Sequence, residues 1–213
     1  MLVQVTPEQI ATIAPNCRSS YREAFALGQE VLDAFGISVN PLRVANFMAQ
    51  ILHESGGLSI LFENLNYSPE RLPVVWPSRF KPKGPLDPAS FAHNPERLAN
   101  EVYGKRMGNT AAGDGFLYRG RGMLQLTGKD SYAEATAILR KTTPAAPDFT
   151  VTPDDALDAQ WCLKVAAAEW RSKGCNELAD SDSIVTITQR INGGQTGIAQ
   201  RKEWAKRTKF IWH

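Results

Sequence analysis

Leu42-Arg43-Val44-Ala45-Asn46-Phe47-Met48-Ala49-Gln50-Ile51-Leu52-His53-Glu54-Ser55-Gly56-Gly57 decides the fold class of this chain. With Val44 set at zero and about 100° of turn per residue, Phe47, Met48, Ile51 and Leu52 fall on one apolar arc. The spacing therefore predicts a helix over 42–55 that lays this arc on a core. Glu54 projects about 20° beyond the Phe47 edge of the arc, in the last turn. Gly56-Gly57 then releases the chain into a turn.

A helix-start device recurs along the rest of the sequence, in Thr6-Pro7-Glu8, Ser68-Pro69-Glu70, Asn94-Pro95-Glu96 and Thr152-Pro153-Asp154. Each sets a capping side chain first, then a proline whose missing N–H costs nothing there, then an acid suited to the helix dipole. Thr6 with Gln9 also fits a capping box. Apolar spacing predicts further helices near 7–14, 20–35, 95–103, 130–141, 153–173, 183–191 and 198–210, with Gly36 and Gly174 as stops. β-Branched runs are scarce, so the chain reads as mainly α.

The 213 residues fit one domain, 1–213, or one domain with two lobes around a cleft. That length can bury a core without metals or disulfides. A net charge of +2 is too small to argue for nucleic acid, and none is expected as a partner. The charge is unevenly placed: Arg201, Lys202, Lys206, Arg207 and Lys209 against Glu203 give the last 13 residues +4. Such a segment suits an anionic polymer or a membrane surface, or is simply a solvated helix face. Cys17, Cys162 and Cys175 are odd in number and lack metal-ligand spacing, with Cys162 reading as buried filler. A reducing compartment at synthesis follows, without a disulfide framework. The first residues show no signal-peptide pattern, and no run nears the roughly 18 apolar residues of a membrane span. The expectation is synthesis in the cytoplasm, with a separate export partner where the substrate lies outside.

Two segments read as long loops that line a site. Residues 72–88 carry Pro73, Pro77, Pro82, Pro85 and Pro88, and residues 108–122 carry Gly108, Gly113, Gly115, Gly120 and Gly122. The second runs into Met123-Leu124-Gln125-Leu126-Thr127-Gly128, where alternation on a short β-ribbon would point Gln125 and Thr127 to one side and Leu124 and Leu126 to the other. No dinucleotide fingerprint or phosphate loop is present.

The acids give the first hint of chemistry. Glu54, at the border of an apolar face, would be partly desolvated, which favours its protonated form and suits a general acid. Glu63 lies nine residues on, in Glu63-Asn64-Leu65-Asn66-Tyr67-Ser68. A continuous helix would separate the two by about 13 Å of rise. A turn after Gly57 could instead bring them to the ~6.5–9.5 Å that admits a water between two carboxyls. A proton donor, a separate carboxylate and a hydroxyl such as that of Thr127 are the parts for hydrolysing a glycosidic bond by attack from the opposite face. Taken singly, Glu54 reads first as a surface glutamate near a helix end and Glu63 as a loop-face carboxylate, and Glu70, Glu101 and Asp114 compete for the same role. His53 opens no zinc motif, because position 57 is glycine where His-Glu-x-x-His needs histidine. His53 reads as a polar neighbour of the site or a structural hydrogen-bonder. No metal or cofactor is called for.

Taken in order, these segments resemble glycoside hydrolase family 19, and especially its bacteriophage endolysin branch. The resemblance spans roughly residues 43–207. It rests on His53-Glu54-Ser55-Gly56-Gly57, the Glu63 to Ser68 run, Tyr103-Gly104-Lys105-Arg106-Met107-Gly108-Asn109, the Gly120-Arg121-Gly122 turn into Gln125-Leu126-Thr127, Ala168-Glu169-Trp170, and Ile191-Asn192-Gly193-Gly194 with Arg201. It implies a lysozyme-like fold, two lobes flanking a groove, and an inverting mechanism. By position it makes Glu54 the general acid, Glu63 the general base and Thr127 the hydroxyl that places the attacking water. His53, Tyr67, Gln125, Ser131, Asn192 and Arg201 fall at sugar-binding or site-organising positions. Met123 stands where the family commonly has proline, and Ser131 where it usually has asparagine.

The resemblance further implies a monomeric endolysin acting on peptidoglycan glycan strands. It would be made in the host cytoplasm and reach the periplasm or cell wall through a holin-like partner, needing no membrane for activity. A chitinase is an alternative of the same class. A catalytically silent glycan-binding protein and a metal-dependent wall peptidase or amidase are alternatives of other classes.

Overall fold

The computed structural model of the chain describes residues 1–213. Twelve α-helices follow one another: α1 (Pro7–Ile13), α2 (Ser19–Ala26), α3 (Gln29–Ala34), α4 (Pro41–Glu54), α5 (Leu72–Val75), α6 (Pro95–Tyr103), α7 (Asp114–Leu117), α8 (Lys129–Arg140), α9 (Cys162–Ser172), α10 (Cys175–Asp180), α11 (Ile184–Asn192) and α12 (Ile198–Ile211). Two 3₁₀ turns, Pro88–Ser90 and Pro153–Leu157, complete the set. No helix is long and apolar enough to cross a membrane.

Helix α4 is the axis of the molecule. Asn40 caps it, its side-chain oxygen accepting from Arg43 N at 3.0 Å, and Pro41 fills the first turn. Every residue from Val44 to Leu52 is buried, so the helix is enclosed on all sides rather than laid on a core by one stripe. Its apolar arc meets α9, where Phe47 packs edge-on against Trp170 at 5.4 Å. Its polar face meets polar partners. Asn46 donates to Asp182 at 3.1 Å, Gln50 donates to Thr188 at 3.2 Å, and α12 packs along the same side. Buried amides are tolerated because these partners satisfy their donors, although Asn46 Oδ1 is left without one.

The apolar residues form two clusters. The larger has 39 buried residues and joins α1–α4 to α8–α12. The smaller consists of Leu65, Leu72, Phe80, Phe91, Leu98, Ala99 and Val102, with Phe80 against Phe91 at 5.3 Å. It organises the proline-rich loop and α6 into a second lobe. Between the two lobes runs the segment of glycine turns, 108–128.

The sequence-based helices are present, two of them divided, and two other expectations change. The expected 20–35 helix divides at Gly28, where a Cβ would lie 2.4 Å from Leu163 Cδ2 and 2.7 Å from Ala24 O. Glycine lets α9 approach there, at the cost of continuity. The expected 153–173 helix divides into the 3₁₀ turn and α9, because Asp158 O accepts from both Trp161 N and Cys162 N and re-starts the chain. The short ribbon contracts to isolated bridges, Phe62 with Arg121 and Arg121 with Leu126. Ser68-Pro69-Glu70 leads only to a turn before the four-residue α5. All three cysteines are free and buried. The basic C-terminal residues are partly used inside the protein. Arg201 is buried, Lys209 pairs with Asp182 at 2.5 Å, and Arg207 lies over the Trp204 ring at 4.2 Å.

The enclosed position of α4 carries a stability prediction. Phe47→Ala removes a fully buried ring that touches Trp170, and should cost about 3–5 kcal/mol, read as a lower urea midpoint at unchanged m-value. A loss below about 1 kcal/mol would contradict a close-packed α4–α9 contact.

Candidate active site

The site begins where α4 ends. Gly56, Gly57 and Leu58 take φ values of 55°, 72° and 61°, three left-handed residues in succession. Two glycines make this reversal cheap, while Leu58 adopts it with its side chain fully buried. Ser55 Oγ accepts from Leu58 N at 2.9 Å and pins the turn. The chain leaves it doubling back, and Glu63 N donates to Gly120 O at 3.0 Å.

Glu63 is held by two donors. Gly120 N donates to Oε1 at 2.6 Å, and Tyr103 Oη donates to Oε2 at 2.6 Å. Burial and the Glu63 charge push the Tyr103 hydroxyl far above its ordinary range, so it remains a donor. A Cβ added at Gly120 would lie 3.1 Å from Thr127 Oγ1, 3.2 Å from Gln125 Oε1 and 3.2 Å from Glu63 Oε1. Glycine is required there because three polar side chains close on its backbone. Gln125, at φ 55°, is turned by a left-handed conformation that costs about 1–2 kcal/mol. Its Nε2 donates to Gly122 O at 2.8 Å, and its buried Oε1 has no partner in the protein. Thr127 Oγ1 donates to Gln125 O at 2.7 Å, leaving lone pairs for another donor.

Glu54 is the last residue of α4 and its side chain is 17% exposed. One oxygen, Oε1, is ion-paired with Arg201 Nη2, while Arg201 Nη1 donates to Gln50 Oε1. Oε2 is left free of protein partners. Glu54, Tyr103, Gln125, Thr127, Ser131 and Asn192 line one cavity of about 380 Å³ between the lobes. The three segments that carry Glu54, Glu63 and Thr127 thus converge.

Arg201 and His53, which the resemblance puts at sugar-binding or site-organising positions, stand behind the cavity wall. Arg201 is 2% exposed beneath Glu54 and is spent on Gln50 and Glu54, so it organises the site and cannot touch a sugar. His53 lies against the backbone of Gly197, where a Cβ would fall 2.5 Å from Nε2, and is not on the cavity wall. Burial and Arg201 hold its imidazole below the ordinary range, so it packs as a neutral ring. Tyr67 also stands off the cavity, edge-on to Trp76 at 5.1 Å, although the Glu63 charge reaches it. Ser131 and Asn192 do line the cavity.

Sequence reasoning gave no role to four other residues. Tyr103 is one, Arg106 and Lys173 on the cavity wall are two more, and Glu169 is the fourth. Glu169, 10% exposed, has Oε1 at 3.9 Å from Lys173 Nζ and a buried Oε2 with no partner. Burial pushes its carboxyl up to about 8, Lys173 opposing the rise and Glu54 and Glu134 adding to it. The signal was an acid set among Ala166, Ala167, Ala168 and Trp170, a position at which only a partnered or functional carboxyl survives burial.

No family model matches the chain. A curated relative from Haemophilus influenzae, described as a glycosyl hydrolase family 19 domain-containing protein, is 40% identical over 165 residues, covering 76% of this chain and 76% of the relative. The chain therefore belongs to glycosyl hydrolase family 19 and is a glycoside hydrolase. Solved structures share the fold at lower identity. Chitinase C from Streptomyces griseus aligns at TM-score 0.63 and 16% identity, covering 98% of this chain and 92% of its own. A class IV family 19 chitinase from Zea mays aligns at 0.61 and 18%, covering 96% and 90%. A bacterial family 19 chitinase aligns at 0.60 and 19%, covering 98% and 94%.

The buried acid predicts a pH-dependent stability. Folded, Glu169 keeps its proton to about pH 8, whereas unfolded it loses it near the ordinary 4.5. Its contribution is full below 4.5 and is lost as pH rises toward 8, because the unfolded chain then binds fewer protons. Glu169→Gln removes that slope, so it should gain on the parent by on the order of a few kcal/mol across this interval. Urea unfolding of both proteins at about pH 5 and about pH 8 measures it; parallel changes would contradict the assignment.

Proposed function

We propose that this glycoside hydrolase is an endolysin of the bacteriophage type, hydrolysing β-1,4 bonds of bacterial peptidoglycan with inversion and so lysing a host cell. The observation that carries the catalytic reading is the meeting of Glu63, Gln125 and Thr127 at Gly120, with Gln125 and Thr127 lining the cavity that Glu54 also lines and Glu63 standing just behind that lining. The resemblance of the ordered motifs to the phage branch of the family supports the choice of substrate. In this reading the enzyme is made in the host cytoplasm and reaches the wall through a separate membrane-permeabilising partner.

Glu54 is the proton donor. Arg201 fixes Oε1, so Oε2 is the oxygen that gives its proton to the glycosidic oxygen as the bond to the anomeric carbon breaks. Glu63 is the base. Tyr103 and Gly120 hold its carboxylate in one orientation, and it takes a proton from a water lying on the opposite face of the sugar ring. The Thr127 hydroxyl, its hydrogen given to Gln125 O, accepts from that water and restricts its direction of attack. Gln125 Oε1, unpartnered in the protein, accepts from an acetamido N–H or a sugar hydroxyl. Ser131 and Asn192 add polar contacts along the cavity. The water oxygen ends on the anomeric carbon, its two protons go to Glu63 and the new hydroxyl, and Glu54 is left ionised.

A chitinase acting on chitin is a second reading, favoured by the names of the solved structures that share the fold. Mass analysis of purified peptidoglycan and chitin oligomers after digestion separates them, and the account expects turnover of peptidoglycan with new reducing sugar ends. Release of chitin fragments alone would overturn the endolysin reading.

Removing the donor tests the mechanism. Glu54→Gln should lower kcat by about 10²–10⁴ and abolish wall lysis, with the far-ultraviolet spectrum unchanged. Retained lysis would reject Glu54 as the acid. Tyr103→Phe removes one of the two donors to Glu63 and should lower kcat by about tenfold while leaving KM near that of the parent, since the interaction orients the base rather than the sugar.

A further inference from the structure

The charges on the cavity wall do not balance. Four charged residues line it: Glu54, Arg106, Glu169 and Lys173. Glu54 is matched by Arg201 from beneath. Arg106, in the loop after α6, gives one long bond, Nη1 to Val102 O at 3.4 Å, and has no carboxylate partner. Lys173, following α9, has Glu169 as its one ion-pair partner, at 3.9 Å, the far limit of such a pair, with Glu134 nearby. Glu169 is nine-tenths buried, and burial keeps it protonated to about pH 8. Near neutral pH two cations on separate elements therefore face the cavity with no ionised carboxylate at ion-pair distance, although Glu63 and Arg106 both act on Tyr103 and Glu134 lies beside Lys173. Beside Lys173 lies a carboxylic acid whose buried Oε2 has no partner.

A strand of N-acetylglucosamine is neutral and gives two such cations nothing to bind. Peptidoglycan differs at every second sugar. There the 3-hydroxyl of the muramic residue carries a lactyl ether ending in a carboxyl group, which is either free or joined to a peptide bearing its own carboxylates. Guanidinium and ammonium groups recognise carboxylates through charge-assisted hydrogen bonds, and a protonated acid donates one more. We infer that Arg106 and Lys173, with Glu169 beside them, form a carboxylate-binding subsite of the cleft that takes the anionic arm of a muramic residue. This inference rests on the peptidoglycan reading above and gives that reading a physical origin. The arm selects the glycan, while the neutral sugar contacts of Gln125, Ser131 and Asn192 serve either polymer. Lys173 sits one turn beyond Glu169 on the same helical face, so the donor acid and the cation reach the ligand together.

The test compares the parent with Arg106→Gln, Lys173→Met and the double variant on three substrates. These are soluble glycan strands bearing stem peptides, the same strands stripped by an amidase to leave the lactyl carboxylate, and a chitin hexamer. Melting temperatures confirm that each variant folds, and exposed Arg106 provides a variant with little structural role. The double variant should raise KM on an anionic strand by about tenfold, at least about fivefold more than on the hexamer, with kcat less affected. Lys173→Arg should restore most of the loss. A loss on the stripped strand assigns the lactyl carboxylate, and a loss confined to the peptide-bearing strand assigns the stem. Equal losses on all three substrates, or none on either anionic strand, would overturn the subsite while leaving the endolysin reading intact. A parent enzyme that turns over the hexamer alone would overturn both.

Discussion

Burying a guanidinium costs several kcal/mol unless its hydrogens are met, and Arg201, 2% exposed, meets most of this demand on one helix through Nη1 and Nη2, its Nε alone having no partner. From α12 it reaches Gln50 and Glu54, two residues one turn apart near the end of α4. The contact does two things together. It joins the C-terminal helix to the central one, a seam continued where Thr208 Oγ1 donates to Ala45 O at 2.8 Å. It also holds Glu54 by one oxygen and leaves the other facing the cavity. Glu54 is useful only while α12 is docked, so activity and the integrity of the large lobe are coupled. Breaking such a pair from one side costs about 3–5 kcal/mol, because the remaining charge stays buried.

The second acid is placed by different means. No cation touches Glu63; backbone and phenol donors do. Gly120 belongs to the glycine turns and Tyr103 to the end of α6, in the smaller lobe. One carboxyl thus belongs to the large hydrophobic cluster and the other bridges to the small one. The spacing across the cleft is set by how the lobes pack rather than by any single loop. The reversal at Gly56, Gly57 and Leu58 is the hinge of that arrangement, since it turns the chain from α4 toward Gly120.

Much of this was legible in the sequence where local rules act alone. The Thr6 capping box, the Asn94 cap and the apolar arc of α4 each need only a few neighbouring residues to be read. Gln125 and Thr127 reach one polar side, with Leu124 and Leu126 buried, although the segment is a turn and not a ribbon. Their separation follows from polarity, which survives the change of backbone. What could not be read depends on distant partners. Gly28 looks like a tolerable glycine inside a helix until Leu163 is brought against it. Helices α5, α7 and α10, at four to six residues, are shorter than the window over which periodicity has meaning. The basic run at the C-terminus looked like a free surface, yet Arg201 is its most deeply buried charge because its partners lie about 150 residues earlier. Glu169 stands among alanines in the sequence, but the burial that keeps its proton exists only once α9 is packed.

The central claim is that Glu54 and Glu63 act from opposite faces of one sugar with a water between them. Proton NMR of the newly formed reducing end during rapid turnover of a β-linked glycan tests it most directly. The account predicts that the α-anomer appears first and then relaxes toward the equilibrium mixture. Initial release of the β-anomer would mean retention through a covalent or substrate-assisted intermediate, and would contradict the arrangement of donor, base and water described here.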